Sequence, residues 1–210
     1  MNKIPGNNDA QPTGSMKNPV PMSVCFSLPN WVEAYLDSCK TAATDEARMS
    51  LVVEAARRNV LEGSGGPFAA AVFESGSGRL VSLGVNLVVP EGLSMLHAEM
   101  VAFSMAQHRL GTYDLGGPGM PSHELVTSTE PCAMCLGATC WSGVTRVVTA
   151  AADQDARAMG FDEGPKPVDW VAELARRGIE VKTRVLRDEA LAVLETYRSM
   201  GGEIYNSRRG

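Results

Sequence analysis

Pro131-Cys132-Ala133-Met134-Cys135 decides how this chain is read, because it sets two thiols three residues apart behind a proline that can open a helix. Side chains at i and i+3 share a helical face, so both sulfurs can reach one ion. The free N–H groups and dipole of a helix start also favour the thiolate form. Upstream, Leu96-His97-Ala98-Glu99 offers an imidazole and, two residues later, a carboxylate. One His and two Cys make three ligands for zinc and leave the fourth tetrahedral position to water, which is the arithmetic of a catalytic site. His97, Cys132 and Cys135 are therefore the expected ligands and Zn2+ the expected cofactor. Glu99 stays outside that set. A carboxylate beside a water of lowered pKa is suited to take and return a proton.

Distance excludes the rival ligands. His108 follows His97 by eleven residues, roughly 16 Å along a continuous helix. Cys140 lies about 12 Å along the helix from Cys132, and is expected to be a buried core thiol. His123 falls at a strand edge and reads as a satisfied polar residue. A redox reading of Cys-Ala-Met-Cys leaves His97 and Glu99 without a purpose.

The 210 residues carry enough material for one domain with a sizeable core, and 44% hydrophobic with 20% charged residues is ordinary for a globular chain. A net charge of −5 argues against a polyanion partner, since binding a phosphate backbone needs clustered Lys and Arg. Residues 1–27 read as a disordered extension, with Pro5, Pro12, Pro19 and Pro21 each opposing a helix and no apolar leader segment. No run approaches the roughly 18 apolar residues of a membrane span. Five cysteines without a secretion signal point to a reducing, cytoplasmic setting with thiols rather than disulfides.

Along the remaining 28–210, expected to form a single domain, Asn30 and Glu33 have capping spacing for a short helix. A stronger helix runs over 45–62, with Met49, Val52, Val53, Ala56 and Val60 on one stripe and Gly63 as its stop. Strands are expected over 68–74 and 80–89, joined by Ser75-Gly76-Ser77-Gly78 as a hairpin. Ser94 can cap a helix over 95–110, with His97 and Glu99 in its first turns. Then come a strand at 124–128, the cysteine helix from Pro131 to near Gly143, and a strand at 146–151. Helices at 154–159 and 169–177 precede a strand over 179–186 and a helix over 188–200, leaving a tail at 201–210. Helices alternating with strands favour an α/β sheet covered on both faces, with the strands at 146–151 and 179–186 parallel across their long connection.

His-x-Glu followed by Pro-Cys-x-x-Cys is the signature of zinc nucleobase deaminases, and the chain resembles the cytidine deaminase superfamily, specifically its bacterial guanine deaminase branch. The likeness covers about residues 45–208. It rests on Gly66-Pro67-Phe68-Ala69-Ala70, Gly84-Val85-Asn86, His97-Ala98-Glu99 and Thr129 to Ala138, and continues in Gly160-Phe161-Asp162-Glu163-Gly164-Pro165 and Ile204-Tyr205-Asn206. The zinc motifs specify only the superfamily, and the last two stretches narrow it. The resemblance implies a three-layer α/β/α sandwich around a five-stranded mixed sheet, and zinc-dependent hydrolysis of guanine to xanthine and ammonia.

It further implies that Asn86 hydrogen-bonds the base, Phe68 packs on its ring and Phe161 lines the pocket. Glu163 would be a second catalytic carboxylate beside Glu99, and the tail at Tyr205 would close the site of its own or a partner subunit in a swapped homodimer. Two alternatives stay open: Phe68 as plain core, and Asp162 rather than Glu163 facing the ligand. Other rings remain in view, namely ammeline or another triazine, cytosine or cytidine, and tRNA adenosine, the last disfavoured by the acidic balance. Outside the class stands a zinc or redox module without hydrolysis.

Overall fold

A computed structural model describes residues 21–39 and 41–206. The expected extension at 1–20 and the tail end at 207–210 lie outside them. Five strands form one mixed sheet in the order β2-β1-β3-β4-β5. β1 (Ala69–Glu74) pairs antiparallel with β2 (Leu80–Val85) and with β3 (His123–Thr129). β3 runs parallel to β4 (Arg146–Ala151), and β4 to β5 (Glu180–Lys182). The expected hairpin and the expected parallel pair both form.

Period-two alternation sends side chains to two cores. Ala69, Ala71, Phe73, Val126 and Val148 face one core with helices α2 (Asp45–Leu61) and α8 (Arg187–Ser199). Ala70, Val72, Leu125 and Val147 face the other, under α4 (Ala98–Leu110), α5 (Ala133–Ser142) and α7 (Trp170–Ala175). The sheet is therefore covered on both faces, and the α/β/α sandwich is the observed fold. Shorter helices fill the margins: α1 (Trp31–Ser38), α3 (Val88–Glu91) and α6 (Asp153–Met159).

Several boundaries depart from expectation for local reasons. β2 ends at Val85 rather than 89, because Asn86 Oδ1 accepts the Val88 N–H at 3.3 Å and turns the chain into α3. Ser94 caps nothing; α4 starts at Ala98 with His97 as its N-cap in extended backbone (φ −65, ψ 154). The cysteine helix starts at Ala133 rather than Pro131, with Cys132 extended at the N-cap. Asn30 makes no side-chain cap for α1. The last strand shrinks from 179–186 to three residues, since Arg184 (φ 64) and Leu186 (φ 53) enter the left-handed region. His123 stands at the strand edge as expected, the first residue of β3, and is fully buried with its Nδ1 hydrogen-bonded to the Leu115 carbonyl at 2.7 Å. Cys140 is half buried, packed against the core on that face rather than enclosed in it.

Two features hold the site-bearing elements to the sheet. At the edge where β3 and β4 begin, buried Glu124 is bonded by Arg48 and by Arg146 (2.9 Å), and Arg146 also grips Asp45 at 2.7 and 2.9 Å. This ties the start of α2 to both strands. At the opposite edge α4 lies directly on Gly84, where a Cβ would stand 2.2 Å from the Ala98 carbonyl oxygen and 2.4 Å from the Ala102 nitrogen. Gly84→Ala must therefore push α4 off β2. The expected cost is about 1–3 kcal/mol in chemical denaturation, the range of overpacking, together with lost activity as Glu99 shifts with its helix.

Candidate active site

Two helix starts meet above the edge where β3 and β4 end. The Glu130 N–H donates to the Ala151 carbonyl at 2.8 Å, so strand pairing persists until the chain turns through Pro131 into Cys132. Extended backbone at both N-caps turns Cys132 and His97 toward each other, with Sγ and Nδ1 3.4 Å apart. Cys135, at the third helical position of α5, completes a triangle in which all three donor atoms lie within 4.8 Å of one another. Tetrahedral zinc with bonds of about 2.0–2.3 Å needs donors some 3.4–3.8 Å apart, and imidazole with thiolates is its preferred set. The donor set fits the ion.

Charge within the triangle is arranged for ligation. A hydrogen bond from Cys135, with further help from His97, pulls the Cys132 thiol down to about 4 despite burial. Cys135 is pushed well above its ordinary value as the donor of that pair. Burial opposes a charged His97, yet Cys132 beside it outweighs this and raises its pKa.

Glu99 is buried in the first turn of α4, held by the Thr127 hydroxyl at 3.4 Å and the Cys135 thiol at 3.3 Å. Burial first, and the Cys132 charge second, raise its pKa. Glu163 sits in the loop after α6, buried to 6% exposure. Its carbonyl accepts the first N–H of α5, from Ala133, at 2.9 Å, which seats the loop against the cysteine helix. Burial, followed by the nearby Cys132 and Glu99 charges, pushes its carboxyl up to about 8. Asp162 is exposed and spends one oxygen on the Gly164 N–H at 2.9 Å. Of the two acids, Glu163 is the buried one.

These groups surround a cavity of about 370 Å³, at the small end of ligand sites. Asn86, Phe68, Phe161 and Tyr205 line it together with His97, Glu99, Cys132 and Glu163, while Cys135 lies behind. Phe68 and Phe161 meet edge to face at 4.9 Å, and Tyr205 stands 5.4 Å from Phe161. Asn86 donates from Nδ2 to the Tyr205 hydroxyl at 2.7 Å. Asn206 brackets the Glu163 loop, accepting the Asp162 N–H at 3.0 Å and donating to the Gly160 carbonyl at 2.8 Å.

Sequence reasoning missed Thr127, Asn206 and Asn59. Thr127 carried no motif. Asn206 stood in a quoted stretch without a role. Asn59 did leave a signal, a polar residue among Val52, Ala56 and Val60 on the apolar stripe of α2, and it is fully buried.

A family model for the cytidine and deoxycytidylate deaminase zinc-binding region matches residues 42–151. The chain is 36% identical over 130 residues to a guanine deaminase of Bacillus subtilis, covering 61% of this chain and 79% of that one. It is similar to the solved guanine deaminase of Nitrosomonas europaea at 46% identity and a TM-score of 0.82, covering 87% of this chain and all (100%) of that one. A solved relative in complex with 2,6-diaminopurine shares 48% identity at a TM-score of 0.79, covering 87% and 96% of the two chains.

Cys132→Ala should lower bound zinc from about one ion per chain to near zero, read by elemental analysis after dialysis. The second expectation concerns Glu163. A carboxyl raised above its unfolded value stabilises fully below about 4.5 and loses that contribution as pH climbs through about 8. In chelator-stripped protein, wild type should therefore lose stability relative to Glu163→Gln across that window, measured by denaturant titration at each pH.

Proposed function

Because the chain belongs to the cytidine and deoxycytidylate deaminase zinc-binding family, we propose that it hydrolyses the exocyclic amine of guanine, giving xanthine and ammonia. What carries this reading is the pair of buried carboxylates on one small cavity, Glu99 beside the donor triangle and Glu163 in the facing loop, both raised in pKa by burial. Groups tuned toward neutrality are those that can exchange protons during turnover. The likeness to two guanine deaminases supports guanine as the ring.

Zinc, held by His97, Cys132 and Cys135, would supply a water of lowered pKa at neutral pH. Glu99 takes a proton from the attacking water and delivers it to the ring nitrogen beside C2 while oxygen adds at C2. Glu99, again ionised, then takes the remaining proton of the hydroxyl added at C2 and passes it to the amine, with Glu163 beside it as a second proton carrier. The C2–N bond breaks as the C2 carbonyl forms, and ammonia leaves. Asn86 hydrogen-bonds the base, and guanine's N–H donors suit Glu163, which accepts hydrogen bonds when ionised. Phe68 and Phe161 pack on the ring and exclude water.

Tyr205 closes the cavity; its hydrogen bond to Asn86 of the same chain supports closure in cis. A homodimer would offer the same tail to a partner. Residues 28–210 work as one catalytic domain of a cytoplasmic enzyme; no helix among the described residues is long and apolar enough to cross a membrane.

Ammonia release across guanine, guanosine, adenine, cytosine, cytidine and ammeline tests the substrate. Guanine should give the highest kcat/KM, and a higher value for another ring would reassign it. Glu99→Gln should cut kcat on guanine by about 10²–10⁴-fold with zinc retained, the range for loss of a general base.

A further inference from the structure

We infer that Asn59 is a positioning residue for guanine recognition, its buried amide clamping the two backbone segments between which the Asn86 side chain emerges. The inference rests on the reading of Asn86 as the base contact. Asn59 lies in the last turn of α2, fully buried. Both protons of its Nδ2 are committed: one bond runs to the Gly66 carbonyl at 2.8 Å, the other to the Asn86 carbonyl at 3.0 Å. Its Oδ1 accepts the Ser64 hydroxyl at 2.8 Å, and Ser64 Oγ accepts the Trp31 indole N–H from α1 at 3.0 Å. The amide is thus held from behind by a relay that reaches the first helix.

The two carbonyls flank the base-facing side chain. A Cβ on Gly66 would stand 2.9 Å from Asn86 Oδ1 and 3.2 Å from Tyr205 Cε1, so that backbone presses on the Asn86 amide itself. On Gly65 a Cβ would meet the Asn86 carbonyl oxygen at 2.0 Å and Asn59 Nδ2 at 2.7 Å. The 64–66 turn, Asn86 and Tyr205 therefore have no slack between them, and among the described residues Asn59 is the one side chain bonded to both backbone segments. Without its bonds both carbonyls lose the donor that Asn59 supplies, and Asn86 loses the fixed origin from which its amide reaches the cavity. Misplacing a binding group by about 1 Å costs on the order of a hundredfold in rate.

A double-mutant cycle separates positioning from plain stability. Asn59→Ala should lower kcat/KM on guanine about ten- to a hundredfold with the zinc content unchanged. Placed on Asn86→Ala, the same substitution should change kcat/KM by less than about twofold, because a residue acting through Asn86 has nothing left to position. Losses that multiply in the double variant, or a near-native Asn59→Ala, would overturn the inference while leaving Asn86 as the base contact. A near-native Asn86→Ala would instead overturn the reading beneath it. Should Asn59→Ala fail to fold, Ser64→Ala removes the hydroxyl that holds Asn59 Oδ1. The same cycle then applies, with a smaller loss expected that again vanishes in the Asn86→Ala background.

Discussion

Two helices have to begin within a few ångströms of each other, and nearly every other feature of the fold serves that requirement. α4 leaves a chain that has just departed from β2, and α5 leaves the end of β3. A sheet in which β1 lies between β2 and β3, antiparallel to both, brings these exits to one edge. The distance between α4 and the sheet is set by the absence of a side chain at Gly84. The direction of α5 is set by strand pairing that continues to the Glu130 amide and by the Glu163 carbonyl on its first N–H. Neither His97 nor Cys132 belongs to its helix. Extended backbone at each N-cap frees the side chain to face the other helix rather than its own.

Burial does the electrostatic tuning that follows. The same apolar surroundings that raise Glu99 and Glu163 would raise an isolated thiol as well. Cys132 escapes because Cys135 and His97 stabilise its charge, so acid and ligand chemistry diverge within one small volume. Glu163 depends on a loop with little regular structure of its own. That loop is secured at one end by the start of α5 and at the other by Asn206 from the tail. Lys166 adds to this, donating to the Pro131 carbonyl at 3.2 Å and pairing with Asp153 at 2.9 Å.

The ligand triangle and Glu99 were legible because their signal is local: residue types that metals require, at spacings that a helix start converts into proximity. The alternation of helices with strands along the second half likewise disclosed a sheet covered on both faces. Boundaries were less legible where a side chain overruled propensity. Val88 and Val89 are good strand residues, yet the Asn86 amide captures the Val88 N–H and ends the strand. Ser94 looked like a cap, but the turn before α4 is fixed by the reach of His97 toward Cys132. Val185 keeps one ladder bond to Thr149, while left-handed residues on either side of it end the strand. Asn59 marks the other limit. A polar residue on an apolar stripe announces a buried partner, but the partners are carbonyls of residues 66 and 86, which no local pattern can point to.

The bond from Asn86 to Tyr205 joins residues 119 positions apart, the longest such span around the cavity wall. Measured along the folded chain, however, it is short. α8 is already packed when the tail turns back at Gly202, whose N–H bonds the Tyr197 carbonyl at 2.9 Å, so closing this contact orders only a few further residues. The donor triangle and Glu99 stand on elements secured without it, whereas the Glu163 loop is held in part by Asn206, the next residue of the tail. The contact that the tail makes with Asn86 is thereby separate from the donor triangle, which is assembled from two helix starts alone.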